Sequence, residues 1–271
     1  MENLVIVRGG GDISTGTIYK LYKSGFRVLI LEIEKPSAIR RNVAFCEAVY
    51  EGVQQVEDVI CHLAKDIDEA KEMLQNRLLT MLVDPKGNCI EELRPLAVVD
   101  GILAKKNLGT SKKMADIVIG LGPGFTAGED VHAVVETMRG HNLGRIIYEG
   151  KAQENTGVPG NILGYGKERV IKSTAQGILK NKCSIADVVK KGDCIAVIDT
   201  KEGEVPVLAS IDGILRGLIR DGYMVTEGFK IADIDPRKDE LKNCFTISDK
   251  ARCIAGAVLE AILYLRGLKN E

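Results

Sequence analysis

The sequence predicts an α/β protein that carries an added all-β module. Three observations lead there. Short β-branched runs alternate with helical spacing across residues 4–148, glycine clusters follow two of those runs, and a pattern in the second half repeats at an offset of 36 residues.

The first element is Leu4-Val5-Ile6-Val7-Arg8, a buried-type strand met at once by Gly9-Gly10-Gly11-Asp12. From Gly16 to Ser24 the spacing is helical, with Ile18, Leu21 and Tyr22 on one side, and Gly25 stands where a C-cap glycine would. Arg27-Val28-Leu29-Ile30-Leu31 is a second strand, ending at Glu32. Strand, glycine turn, helix and strand make a βαβ unit, hence a Rossmann-like, mostly parallel sheet. Bare backbone N–H groups at a helix N-terminus suit a phosphate. Glu32 stands about 20 residues past the glycines, where dinucleotide folds place a ribose-binding acid. The fingerprint departs from type at Ser14, its third glycine position, and Gly16 comes two residues later. A tight turn without a ligand is the plainer alternative.

The alternation continues. Asp66 to Arg77 reads as a charged amphipathic helix, and Leu78–Val83 as a strand ending at Asp84. Strands follow at Ala97–Asp100, running on to Leu103, at Asp116–Leu121, and at Arg145–Tyr148. A second glycine turn, Gly120 to Gly128, closes the strand at 116–121. Ligands of parallel sheets bind beyond the carboxyl ends of the strands. Gly9, Gly10, Gly11, Asp12, Glu32, Asp84, Asp100, Gly122, Gly124 and Thr126 are therefore expected to lie on that edge, the two glycine turns facing one crevice. Arg40 and Arg41, and the set Lys105, Lys106 and Asn107, are candidates to hold an anionic ligand's phosphate, with a solvated charged loop the alternative. His132 and His141 fall within ten residues of each other beside the second turn. They could act as a general base, join Asp130 or Glu136 at a metal, or be plain structural histidines.

In the second half, residues 175–199 written over 211–235 share G-I-L-x9-V-x-x-G-x-x-I-A-x-I-D. Each copy has glycine turns and no helical period. Each is expected to form a small β-meander, the two closing on one another as a sandwich or barrel. The pattern is similar to the barrel-sandwich hybrid of biotinyl and lipoyl domains. Those carry a modified lysine beside methionine; Lys201 lies between the repeats without that methionine, so an ordinary turn lysine is the expectation. The expected domains are 1–165 (nucleotide or cofactor binding), 166–240 (the duplicated module) and 241–271, a C-terminal helix packing back on the first. The first boundary falls in the turn-rich stretch 155–161.

Charges nearly cancel, with 37 Lys+Arg against 38 Asp+Glu, and Trp is absent, so neither nucleic acid nor an anionic membrane is an expected partner. Seven dispersed cysteines without a C-x-x-C pair, and no export-type leader or membrane-length apolar run, predict reduced thiols in the cytoplasm. Paired-cysteine zinc is not expected.

The blocks Ile6-Val7-Arg8-Gly9-Gly10-Gly11-Asp12 with Gly16, Leu31-Glu32-Ile33-Glu34-Lys35-Pro36 with Arg40-Arg41, Ala104 to Thr110, Gly120 to Gly128 and Ile247 to Ala251 together resemble the YqeB-type accessory family of the selenium-dependent molybdenum hydroxylase system. The resemblance spans nearly the whole chain. It implies a cytoplasmic helper in maturation or regulation of a molybdenum hydroxylase, acting on an anionic pterin cofactor (molybdopterin) or its sulfur or selenium ligand. The partners it implies are the hydroxylase or its maturation proteins, and it carries no catalytic residues over. Three readings follow. In the first, a cofactor-maturation protein binds a nucleotide or pterin phosphate, and Cys46 carries sulfur or selenium or is an inert buried thiol. In the second, a nucleotide-dependent (NAD-like) oxidoreductase uses His132 or His141. The third is a non-enzymatic docking adaptor. Self-association as a homo-oligomer stays open.

Overall fold

β1 (Leu4–Arg8) is buried at all five positions, including Arg8, because it lies near the middle of a large sheet with strands on both sides. The chain is described here from a computed structural model that covers residues 2–157 and 160–268. It divides into two compact units, one of residues 1–36, 44–156 and 247–271, the other of 37–43 and 157–246. Two residues of the turn-rich stretch at 155–161, and the last three of the expected C-terminal segment, lie outside the described residues.

In the first unit β1 is followed by α1 (Asp12–Lys23), β2 (Arg27–Glu32), α2 (Ala48–Glu51), β3 (Val53–Val56), β4 (Val59–Ala64), α3 (Ile67–Gln75), β5 (Leu79–Val83), α4 (Cys89–Leu93), β6 (Ala97–Asp100), β7 (Ile117–Leu121), β8 (Ala133–Val135) and β9 (Ile146–Ile147). The nine strands form one sheet in the order β3-β4-β5-β2-β1-β6-β7-β8-β9. Pairing is parallel from β4 through β8 and antiparallel at both margins. The expected mostly parallel sheet is present. Strands β3, β4 and β8 lie outside the sequence expectation: Gln54, Gln55 and His62 break the apolar runs of the hairpin, and β8 is three residues long. α3 starts where Asp66 accepts the Glu69 N–H at 2.9 Å, an N-cap that satisfies one orphan donor. One core cluster joins Leu4, Ile6, Leu29 and Val118 of the sheet with Ala70 and Leu74 of α3.

In the second unit lie β10 (Val170–Lys172), β11 (Gly177–Asn181), β12 (Val188–Val189), β13 (Cys194–Thr200), β14 (Gly203–Leu208), β15 (Gly213–Leu218), β16 (Met224–Val225) and β17 (Lys230–Asp235). They make two antiparallel sheets, β10-β17-β15-β12 and β14-β13-β11-β16. The halves are not separate meanders. β12 of the first copy pairs with β15 of the second, and β16 of the second pairs with β11 of the first. The reason is packing. Each two-residue strand reaches across to the other half, and its valine (Val189 3% exposed, Val225 0%) joins one shared core with Leu179, Ile198, Leu215 and Ile234. The backbone bonds match at the 36-residue offset: Ala186 N to Leu215 O and Gly222 N to Leu179 O are both 2.8 Å, and Leu215 N to Asp187 O (2.8 Å) matches Leu179 N to Tyr223 O (2.9 Å). A Cβ at Gly177 would stand 2.3 Å from Asp199 O, and one at Gly213 would stand 2.3 Å from Asp235 O.

Residues 37–43 belong to this second unit, although they follow β2 in sequence. Residues 241–246 belong to it too, while α5 (Asp249–Leu268) belongs to the first unit, so the expected third segment is divided. Arg169, 5% exposed, ties the β-unit together: its guanidinium donates to the Ile234 and Gly160 carbonyls and to both Asp233 carboxylate oxygens at 3.2 Å. No helix among the described residues is long and apolar enough to cross a membrane.

Candidate functional site

The carboxyl ends of β1, β6, β7 and β8 share one edge of the large sheet, and both glycine turns lie there. The first turn satisfies its own hydrogen bonds. Gly9 N donates to Leu31 O at 2.8 Å, Gly10 N to Glu32 Oε2 at 2.7 Å, and the Ser14 hydroxyl to Gly9 O at 2.7 Å. The other Glu32 oxygen accepts Ile33 N at 2.8 Å. Burial pushes the Glu32 carboxyl above its usual range, and those two N–H groups offset part of the rise. The acid in the ribose position therefore holds the turn. Gly16 has its own structural reason: a Cβ there would stand 2.6 Å from the Ala251 carbonyl, so the glycine lets α1 and α5 touch. These are corrections to the dinucleotide reading, since the fingerprint residues serve backbone contacts of the fold. Gly11, at the N-cap of α1, alone in this turn faces open space, with Asp12 half-buried beside it.

The second correction concerns the crevice. Both turns press on one loop, residues 101–106. A Cβ at Gly9 (φ +89°) would meet Ile102 Cα at 3.0 Å, and one at Gly124 (φ +113°) would meet Lys106 N at 2.7 Å. Glycine at these positions permits backbone-to-backbone approach between loops that begin at different strands. Beneath the loop, Arg8 is 3% exposed and Asp100 1%. They lie 3.6 Å apart, with Thr110 bonded to both and the Pro85 carbonyl 3.1 Å from the guanidinium. Asn107 serves the same loop system: its oxygen accepts the Gly109 and Thr110 N–H groups and its amide donates to Thr110 O, so it is a loop organiser. Gly122 N donates to Val135 O at 2.9 Å, which makes it a turn between strands. Sequence reasoning missed the Arg8 clasp; its one signal was a charged residue at the end of an otherwise apolar strand.

Beyond the loop lies a recess of about 390 Å³ lined by Lys105, Gly124, Thr126, Lys151, Glu154 and Asn155, among others. Lys105, Gly124 and Thr126 are thus brought together, and Lys151 is an addition. Lys105 and Lys151 are exposed, and Lys105 holds φ +63°, uncommon for a residue with a Cβ. At the α1 side of the same edge, Lys250 at the start of α5 is half-buried. Burial, and then the neighbouring Arg139 guanidinium, lower its ammonium below the usual lysine range, while Asp12, Glu136 and Asp249 oppose the shift. Glu136 itself is buried and accepts Met138 N and Gln153 N.

The other candidates lie apart. Arg40 donates to the Asn243 and Thr246 carbonyls and Arg41 to the Leu218 carbonyl, all within the β-unit. His132 is held against β7, its Nδ1 accepting the Val118 backbone N–H at 3.0 Å and its backbone N–H donating to Val118 O at 2.8 Å. His141 is exposed in the loop after β8. Cys46 is 1% exposed, and its N–H donates to Gly10 O at 2.9 Å; burial keeps its sulfur from an external donor. No group of three His, Cys, Asp or Glu residues among those described could hold a metal. Lys201 sits in the turn between β13 and β14, which Thr200 closes by donating to Gly203 O.

No family model matches the chain. It is 51% identical over 264 residues to the uncharacterized protein YqeB of Escherichia coli (strain K12), a match that covers 97% of this chain and 48% of that protein. The chain is of the YqeB type. It spans about half the length of that YqeB relative. Among solved structures, an aspartoacylase family protein from Mesorhizobium loti is matched at TM-score 0.30 and 11% identity, over 85% of this chain and 84% of that one. A succinylglutamate desuccinylase/aspartoacylase from Rhodobacter sphaeroides gives 0.28 and 13%, over 86% and 84%. Product-bound EutE (DoeB) from Ruegeria pomeroyi gives 0.25 and 11%, over 85% and 56%. At these scores the likeness carries neither fold nor activity to the YqeB-type chain.

Proposed function

We propose that this protein is an accessory factor for maturation or regulation of a selenium-dependent molybdenum hydroxylase, and that it holds a phosphate-bearing ligand in the recess beside the second glycine turn. The observation that carries the reading is the convergence of Lys105, Lys151 and Thr126 on one recess against the bare backbone of Gly124. About 390 Å³ lies within the general range of small-ligand sites, roughly 300–1,000 Å³. Two ammonium groups and a hydroxyl suit the phosphate of a mononucleotide or of a pterin cofactor. The oxidoreductase reading loses its support, because Glu32 and Gly16 are engaged within the fold. A second position for the anion is favoured by one observation: Lys250 stands at the start of α5 near Arg139, whose guanidinium pairs with Asp249 at 3.0 Å.

Strand exchange between the halves supports reading the β-unit as a barrel-sandwich hybrid that docks the hydroxylase or its maturation proteins in the cytoplasm. The test is thermal-shift titration with inorganic phosphate, mononucleotides and a pterin phosphate. A binder should raise Tm in wild type, and Lys105→Ala/Lys151→Ala should weaken binding roughly tenfold or more. Weakening only by Arg139→Ala would move the site to the second position. No shift with any of these compounds would leave the docking-adaptor reading.

A further inference from the structure

The two halves of the β-unit share a backbone but not a surface. On the outer face of the sheet β14-β13-β11-β16, one row of paired residues runs Glu204, Asp199, Ile178, Met224 across all four strands. Ile178 is 42% exposed and Met224 57%, while their chain neighbours Leu179 and Val225 lie in the shared core. The equivalent of Ile178 in the second half is Ile214, fully buried although it is not part of that core. Asp235, paired with Ile214 as Asp199 is with Ile178, is buried as well.

On that second face the chain covers its own sheet. The turn Leu241–Cys244 packs on β15, and a Cβ at Gly217 would meet Ile39 O at 3.1 Å and Arg40 Cγ at 3.3 Å. Its acids are answered by guanidinium groups from outside the repeats. Arg237 donates to Asp235 at 2.9 and 2.7 Å, and Arg169 to Asp233 at 3.2 Å. On the first face a recess of about 840 Å³ opens instead, lined by Ile178, Asp199, Lys201, Glu202, Glu204 and Met224, among others. Asp199 and Glu204 share one lysine there, Lys180, at 2.8 and 3.7 Å.

We propose that this first face docks a polypeptide segment of a partner protein, which lays apolar side chains on Ile178 and Met224 and an arginine against Asp199 and Glu204. The inference rests on the docking role given to the β-unit above, and adds the surface and the chemistry it selects. Covering the two apolar side chains supplies the area, and carboxylates at the rim fix the register. Arginine suits them better than lysine, since its planar fork can bind a carboxylate through two N–H groups, as Arg237 binds Asp235. Through the same face a second copy would bring carboxylates and no arginine.

The test selects a phage-displayed library of random peptides on the full-length protein and measures the synthetic consensus peptide by fluorescence polarisation. The consensus should carry an arginine close to an aliphatic or aromatic residue, and lysine in place of that arginine should weaken binding roughly tenfold. Ile178→Ser, and Asp199→Asn with Glu204→Gln, should each weaken it roughly tenfold or more. Val188→Ser changes the exposed equivalent of Met224 on the other sheet and should leave binding as in wild type. These side chains are exposed or half-exposed, so the variants should keep the wild-type circular dichroism spectrum. No enriched peptide, a consensus without a basic residue, or binding that survives both changes to the face would overturn the proposal. So would a wild-type dimer in sedimentation that Ile178→Ser dissolves, because the occupant would then be a second copy. Peptide binding at this face, with no binding of a purified molybdenum hydroxylase or its maturation proteins, would keep the surface and remove the docking role proposed above.

Discussion

The two units use glycine and buried arginine for opposite ends. In the α/β unit, Gly9 and Gly124 let unlike loops meet at a shared backbone segment, and Arg8 fixes those loops from below. In the β-unit, Gly177 and Gly213 occupy equivalent places and let like halves cross, while Arg169 binds from outside the repeat. An edge built from unlike loops can be reshaped loop by loop, and it is there that the lysine-lined recess opens. A core shared between two copies has no such freedom, because a change in either half meets the other.

The largest expected effect comes from breaking the arginine clasp of the α/β unit. Arg8→Met leaves the Asp100 carboxylate buried without its cation and should cost about 3–5 kcal/mol in denaturant unfolding. Arg8→Met with Asp100→Leu should recover most of that loss; equal losses in single and double variants would show that the clasp matters through packing alone. Next come the crossing glycines. Gly177→Ala and Gly213→Ala each drive a Cβ toward a carbonyl at 2.3 Å and should each cost about 3 kcal/mol, measured as the urea midpoint. If the two costs differ by more than about 1 kcal/mol, the energetic equivalence of the halves is broken despite matching hydrogen bonds.

Smaller effects follow from titration. The Lys250 ammonium is held below its usual range, so the folded state binds fewer protons there than the unfolded chain, and stability should rise with pH through the window between the lowered value and 10.5. Lys250→Met should raise Tm at neutral pH and flatten that rise; a lower Tm would mean the ammonium is a net stabiliser. In the β-unit, burial alone would raise the Asp235 carboxyl, but Arg237 brings it below its usual 3.8. Its contribution is present above that value and fades as pH falls through the folded one, so Asp235→Asn should reduce acid sensitivity slightly.

Much of the architecture is legible in local pattern. The runs at Leu4–Arg8, Arg27–Leu31 and Ile117–Leu121 are strands, and the apolar side of 249–267 marks α5. His62 and the two glutamines hid the β3–β4 hairpin, because an edge hairpin tolerates polar residues that a central strand does not. The site was less legible. Lys105, Gly124 and Thr126 lie near one another in sequence and share the recess, whereas Lys151 and Lys250 come from distant segments.

Apolar spacing and the 36-residue repeat are local properties, and they were enough to name a parallel sheet followed by a duplicated β-module. Where Glu32, Gly16, Arg40 and Cys46 spend their hydrogen bonds or their space was settled by the folded chain. A glycine or an acid after a strand suits a ligand and a neighbouring loop equally well. Which of the two it meets depends on backbone that arrives from tens or hundreds of residues away.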